Sequence, residues 1–201
     1  SLKYRGNGWP GSAKIKYDNK EIKIDLNDYW NPYFGSYFFT PFRCLSCNDL
    51  VGELADISLG DAWLKFIEEK DDQGTSIIIT RTNFSEKIIR DMENKHSIEL
   101  NEISQKAVKK SQEKIIRRKK STIAYRINLF KKMNIPVPEY GFNFDITKDT
   151  LSKKIVGYFG AVLIYINSHM SKNIFTLKII KMLPSKILNK YSSFVIKVGS
   201  K

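Results

Sequence analysis

The sequence predicts an α+β fold: a mixed β-sheet with an N-terminal hairpin and packed helices, followed by a helical, basic C-terminal extension. Three observations carry this. Two alternating runs meet at a turn in "AKIKYDNKEIKID", residues 13 to 25. Strand-like and helix-like periods then alternate from 75 to 133. Beyond Tyr140 the composition shifts, with ten lysines and one acid, Asp149, from Lys148 to Lys201. The expected division is therefore a domain over 1–140 and a basic, mainly helical extension over 141–201.

Each element has its own signal. In the hairpin, Ile15 and Tyr17 are expected to pair with Ile22 and Ile24 around Asp18-Asn19-Lys20. "DYWNPYFGSYFFTPF" is dense in aromatics and broken by Pro32, Gly35 and Pro41, which predicts a short helix or a packed loop. "TSIIITRT" (75–82) reads as a buried strand after a turn at Gly74. "NFSEKIIRDMENK" (83–95) reads as an amphipathic helix with Ser85 as candidate N-cap and Phe84, Ile88, Ile89 and Met92 on one face. "SIELNEI" is a short strand candidate. Residues 104 to 133 contain no Gly or Pro and read as one long helical stretch, ended by Pro136 and Pro138.

The extension carries two patterns. The 17 residues between Lys154 and Lys172 are uncharged. They fall short of the roughly 20 apolar residues of a spanning helix, so a buried helix is expected. "NIFTLKIIKMLPSKILNK" puts Lys178, Lys181, Ser185 and Asn189 on one stripe, a basic amphipathic helix with a break expected at Pro184. Such a helix either packs on its own domain with its lysines in water or lies on an anionic bilayer.

The chain has 201 residues, 42% of them hydrophobic, with 12 Phe, 10 Tyr and 3 Trp. That excludes a disordered polymer. The formal net charge of +13, from 34 Lys+Arg against 21 Asp+Glu, favours an anionic partner or reflects a lysine-rich proteome. Two cysteines three positions apart make a poor disulfide framework, and no secretory signal opens the chain. A cytoplasmic protein is the expectation, with peripheral membrane contact as the alternative to packing for the basic helix. Ser1-Leu2-Lys3-Tyr4 enters a strand without an initiator Met, so a fragment lacking an N-terminal part is expected.

Cys44 and Cys47 form the sole C-x-x-C, a spacing that turns two sulfurs toward one centre. Zinc, a redox dithiol and an iron–sulfur cluster all use it. Zinc and clusters want four ligands; His96 and His169 lie far apart with no paired spacing, and no βαβ pattern surrounds the pair. Packed cysteines without a ligand are the bland alternative. Nearby, Gly60 of "LGDAW" offers backbone N–H donors, while Asp56 and Asp61 suit the holding of loop amides better than catalysis. Arg43 adjoins Cys44, either as a charge beside a ligand or simply solvated. "GNGWPG" (6–11) permits close approach, and Trp9 there either stacks on a ring ligand or fills a turn. "KAVKKSQEKIIRRKK" (106–120) holds eight basic residues against Glu113. It suits an anion grip or a solvated helix; a nucleic-acid partner is not expected, since no recognised module accompanies it.

The surrounding residues narrow the choice. "RCLSCNDLVGELADISLGD" resembles the C-terminal half of the coenzyme F420 hydrogenase/dehydrogenase beta-subunit family, supplying Cys44, Cys47, Asp49, Glu53, Ala55, Asp56, Ile57, Ser58, Gly60 and Asp61 in order. "KYRGNGWPG", "GTSIIITRTNFSEKII" and "LFKKMNIPVPEY" are similar to its flanking segments, so the likeness spans about residues 4 to 140. The resemblance implies a flavin- and 4Fe-4S-dependent oxidoreductase passing electrons between a cluster and FAD, with coenzyme F420 as a candidate substrate. It implies Cys44 and Cys47 as metal ligands; beside them the residues themselves offer Trp9, Gly60 and Asp61 as candidate cofactor contacts, and catalytic residues stay unassigned. The family's "PCQ"-like and "C-x-G/N-P"-like segments, which carry the other cluster cysteines, do not occur here. The expected partners are therefore the missing N-terminal half of the domain, a redox protein or ferredoxin-like domain, and an anionic membrane surface. In this fragment an intact cofactor and independent activity are not expected. The alternative class is a non-redox binding or docking module with a zinc-binding or idle cysteine pair and a basic membrane- or nucleic-acid-binding C-terminus.

Overall fold

A computed structural model describes residues 1–6, 8–68 and 73–199, without the side chains of 31, 66 and 68. Strands β1 (Leu2–Lys3), β2 (Ser12–Tyr17) and β3 (Lys20–Asp25) form one antiparallel sheet. Helix α1 (Leu26–Tyr29) runs into a π-helical turn, Trp30–Gly35, and one further turn forms α2 (Phe42–Leu45). Strand β4 (Ile57–Asp61), helix α3 (Lys65–Glu68) and strand β5 (Ser76–Thr80) follow, with β4 and β5 pairing antiparallel. Then come α4 (Asn83–Asn94), α5 (Gln105–Ser111), α6 (Glu113–Ile116), a second π-helical turn at Arg117–Ser121, and α7 (Ile123–Lys132). The chain closes with α8 (Leu151–Met170), α9 (Ile174–Met182) and α10 (Ser185–Val198). The fold is α+β, as expected. Among the described residues the strands make two separate antiparallel sheets, where a single mixed sheet was expected.

Two compact units divide the described residues. One draws on Ser1–Asn7, Gly11–Asn48 and Arg117–Lys201; the other on Gly8–Pro10 and Asp49–Ile116. The first has its core around Leu45, Phe130, Ile164 and Val195, each at most 1% exposed. A second cluster there joins Phe38, Ile180 and Leu188. Glycines let α8 approach closely: a Cβ on Gly157 would lie 2.4 Å from the Tyr125 ring of α7. In the second unit Arg81 holds the loop before β4. Its guanidinium donates to the carbonyls of Val51 and Ala55, both at 2.8 Å, and to Ser58 Oγ at 2.7 Å.

Several local expectations are corrected. Ile15 does face Ile22, but Tyr17 stands opposite Lys20 and Ile24 opposite Ala13. The turn consists of Asp18 and Asn19 alone, both at positive φ (43° and 60°), which two-residue hairpin turns require and Asn and Asp tolerate. Lys20 is already in β3, so the register shifts. Ser85 is not the N-cap of α4. Thr82, still extended, is the cap, and Thr82 and Ser85 bond each other's backbone N–H at 3.2 Å in a capping box. On that helix Ile89 is buried while Phe84 is 72% exposed, so the expected apolar face is only partly covered.

Residues 97–103 form no strand: among the described residues β4 and β5 pair with each other alone. The long helix of 104–133 is broken into α5, α6, the π turn and α7. At the break, the side chains of Thr122 and Arg126 bond the Arg118 carbonyl (3.1 and 2.9 Å) and compete with a regular ladder. Helix α8, expected to be buried, covers only one side; its other side is apolar and in solvent. The break at Pro184 is present, with Pro184 as N-cap of α10, so the single stripe expected from Lys178 to Asn189 is cut in two.

Candidate metal centre

Cys44 lies in the single turn of α2 and Cys47 one residue past its C-cap, Ser46. Pro41, extended at φ −60°, starts the turn, and Cys44 N–H donates to the Pro41 carbonyl at 2.9 Å. Between the cysteines, Leu45 is fully buried in the main core. That anchor fixes the turn, while both cysteines are half-buried and form no disulfide. Cys44 thus lies in the turn and Cys47 just past its cap.

The four carbonyls of residues 43 to 46 each accept a side-chain hydrogen bond. Ser46 Oγ takes that of Arg43 at 3.2 Å. Lys119 Nζ takes Cys44 at 3.2 Å, and Arg126 Nε takes Leu45 at 2.8 Å. The Tyr140 hydroxyl donates to Ser46. Arg118, beside Lys119, lies over the Tyr37 ring at 5.3 Å. The π turn, wider than an α turn, carries Arg118 and Lys119. Arg126 is 2% exposed, and burial pushes its guanidinium down from its ordinary value. Burial likewise pushes the Tyr140 phenol up. Two cations thus sit on the backbone of the cysteine turn, an arrangement that offsets negative charge placed at Cys44 and Cys47.

Sequence reading missed Lys119, Arg126 and Tyr140 as neighbours of the cysteines. The basic run was visible, but its lysines and arginines carry no mark that says which faces inward. One signal was present: Arg126 is the single charge inside the apolar run "IAYRINLF". A lone charge there is either exposed or satisfied in the core, and here it is the latter.

Trp9, Gly60 and Asp61 belong to the second unit, Cys44 and Cys47 to the first. The Trp9 ring packs on Trp63, centroids 4.9 Å apart at 36°. It also covers Gly74, whose φ of +96° and 2.9 Å clearance for a Cβ demand glycine. Gly60 sits in β4 opposite Ile77, exposed, with open space where a side chain would stand. Asp61 ends β4, and its carbonyl accepts from Gln112 Nε2 at 2.8 Å. Asp56 holds the loop: its carboxylate accepts from Thr82 Oγ1 at 3.0 Å and its carbonyl from Arg81 N–H at 2.9 Å. His96 and His169 are both exposed and lie in different units. Among the described residues no group of three or more His, Cys, Asp or Glu could hold a metal ion.

Comparison with known families supplies the decisive observation. The family described as the C terminus of the coenzyme F420 hydrogenase/dehydrogenase beta subunit matches residues 1–106, just over half of the chain. The chain belongs to this family. The F420 hydrogenase/dehydrogenase match takes in the cysteine turn, Trp9, the two-stranded sheet and α4; the similarity read over 107–140 lies outside it. Lys119, Arg126 and Tyr140 thus come from beyond the family segment. No curated protein and no solved structure matches the chain. Among the described residues no helix is long and apolar enough to cross a membrane.

Proposed function

We propose that this chain is part of a flavin- and 4Fe-4S-dependent oxidoreductase in which Cys44 and Cys47 supply two of four cluster thiolates. The single observation that carries the reading is the cysteine turn itself. Two half-buried cysteines lie in and just past one core-anchored turn whose carbonyls are all bonded, two of them by the cations Lys119 and Arg126. A thiolate-ligated cluster is anionic, and fixed cations and N–H donors near it stabilise that charge. The fit is to half a ligand set. The remaining thiolates are assigned to the preceding half of the domain.

When bound, the cluster and FAD supply one-electron and hydride chemistry respectively, with coenzyme F420 as a candidate hydride carrier. The chain's own residues hold and shield. Leu45 seals the turn from below, Arg126 and Lys119 fix its backbone, and Tyr140 closes its C-terminal end. In the second unit Trp9, Gly60 and Asp61 are the proposed flavin contacts; the open space at Gly60 supports close approach there. The partners are the rest of the domain and a redox protein in the cytoplasm. The division into a family domain over 1–140 and a basic extension belongs to this proposal.

The natural polypeptide containing this chain, purified anaerobically, tests the reading. Broad brown absorbance that bleaches with dithionite, together with flavin bands, is the expected spectrum. A colourless protein holding stoichiometric zinc contradicts it.

A further inference from the structure

The C-terminal helices expose more apolar surface than packing in their own unit explains. Helix α8 buries Gly157, Ala161 and Ile164 on one side. On the opposite side Leu151, Ile155, Phe159, Val162, Ile166 and Met170 are all 36% exposed or more. Their spacing of three or four residues makes one continuous stripe along a helix about 30 Å long. Phe159 touches Phe194 of α10, ring centroids 6.3 Å apart, so the stripe continues onto that helix. On α9, Phe175 and Met182 are 68% and 82% exposed. The stripe shared by α8 and α10 is a contiguous exposed apolar patch, and such patches mark an interaction surface.

The charge beside the patch selects the partner. Between residues 151 and 199 there are eight lysines and no acid. On α10, Lys186, Lys190 and Lys197 recur at helical spacing as a strip next to Ile187 and Phe194. On α9, Lys178 and Lys181 flank Met182 and Phe175 in the same way, opposite the buried Ile180. Protein–protein interfaces enrich arginine and are depleted in lysine. Apart from Lys153, which pairs with Asp149 just before α8, these lysines border the apolar strips without a neighbouring acid in the same helices, a pattern that matches the acyl boundary and headgroups of an anionic bilayer. Among the described residues no helix can span, so these helices would lie in the interface.

We infer that α8, α9 and α10 form a surface that docks on an anionic lipid bilayer, with Phe159, Phe175, Met182 and Phe194 entering the acyl boundary and the lysines meeting the headgroups. The inference is independent of the redox reading, because it concerns other residues and needs no cofactor.

Flotation of the full chain with vesicles tests it. Binding is expected to vesicles containing phosphatidylglycerol, not to pure phosphatidylcholine, and to weaken as salt rises. Lys190→Ala is expected to weaken binding about fivefold and Phe175→Ser about tenfold. Both sites are exposed, so circular dichroism and the unfolding midpoint should stay unchanged. Three results overturn the inference: no flotation with anionic vesicles, equal flotation with neutral ones, or insensitivity to both substitutions. A dimer dissolved by Phe175→Ser, in a chain that binds no vesicle, would assign the face to a second copy instead.

Discussion

Arg126 donates its Nε–H to the carbonyl of Leu45 at 2.8 Å, joining the cysteine turn to a helix 81 residues away in sequence, with the arginine only 2% exposed. The same guanidinium also reaches Thr122 Oγ1 at 3.1 Å and the Arg118 carbonyl at 2.9 Å. Arg126→Met would leave the Leu45 carbonyl without its donor, while the Arg118 carbonyl keeps Thr122 Oγ1. Unfolding in urea should show a loss of roughly 1–3 kcal/mol. Arg126→Lys keeps a charge but lacks the fork, so its loss should fall between those of wild type and Arg126→Met. A change below about 0.5 kcal/mol for the methionine variant would show that the bonds do not hold the turn.

Gly157 is a packing glycine. Three ring atoms of Tyr125 lie within 2.6 Å of where its Cβ would stand. Alanine is the better helix former by about 1 kcal/mol, yet Gly157→Ala should destabilise the chain by roughly 1–3 kcal/mol, because the overlap outweighs propensity. A variant as stable as wild type in thermal unfolding would show that α7 and α8 separate easily.

Tyr125 and Asp149 set a pH dependence. The Tyr125 hydroxyl donates to Asp149 Oδ2, and burial, then that carboxylate, push the phenol up to about 12 from its ordinary 10. The folded state binds this proton more tightly, so the contribution is complete below pH 10 and lost between about 10 and 12. Asp149 is held below its ordinary 3.8 by Lys153 and then Tyr125, so its contribution is present above that value and lost on further acidification. Burial also pushes Tyr140 and Tyr191 up, so alkaline loss persists in Tyr125→Phe but becomes shallower. Denaturation midpoints measured across pH check this; an unchanged alkaline slope would contradict it.

Thr82, not Ser85, caps α4. Thr82→Ala should cost about 1 kcal/mol and speed hydrogen exchange in the first turn of that helix. Exchange unchanged at the Ser85 amide, which donates to Thr82 Oγ1 at 3.2 Å, would argue against the cap.

What the sequence showed and what it hid follow from range. The hairpin, β5, α4, the break at Pro184 and the end of α7 before Pro136 depend on neighbours in the chain, and local pattern revealed them. The pairing of Tyr17 needed the turn length, and the cap of α4 needed the backbone of Thr82. The broken helix around Arg117–Ser121 was invisible because it depends on bonds from Thr122 and Arg126 and serves a turn about 70 residues away. The exposed side of α8 was misread for a similar reason: an uncharged run looks buried unless its neighbours are known. At the candidate centre the cysteines announced themselves by spacing. Lys119 and Tyr140 did not, since nothing local distinguishes an inward lysine from a solvated one, and Arg126 left one trace only, as a lone charge in an apolar run.

The central claim is that Cys44 and Cys47 are half of a cluster's ligand set. Iron and acid-labile sulfide, quantified in the anaerobically purified natural polypeptide and in its Cys44→Ser and Cys47→Ser variants, test it most directly. About four iron and four sulfide per chain are expected in the wild type, with most of both lost in each variant while the far-UV circular dichroism stays that of a folded chain. Iron and sulfide contents that do not change in either variant would contradict it.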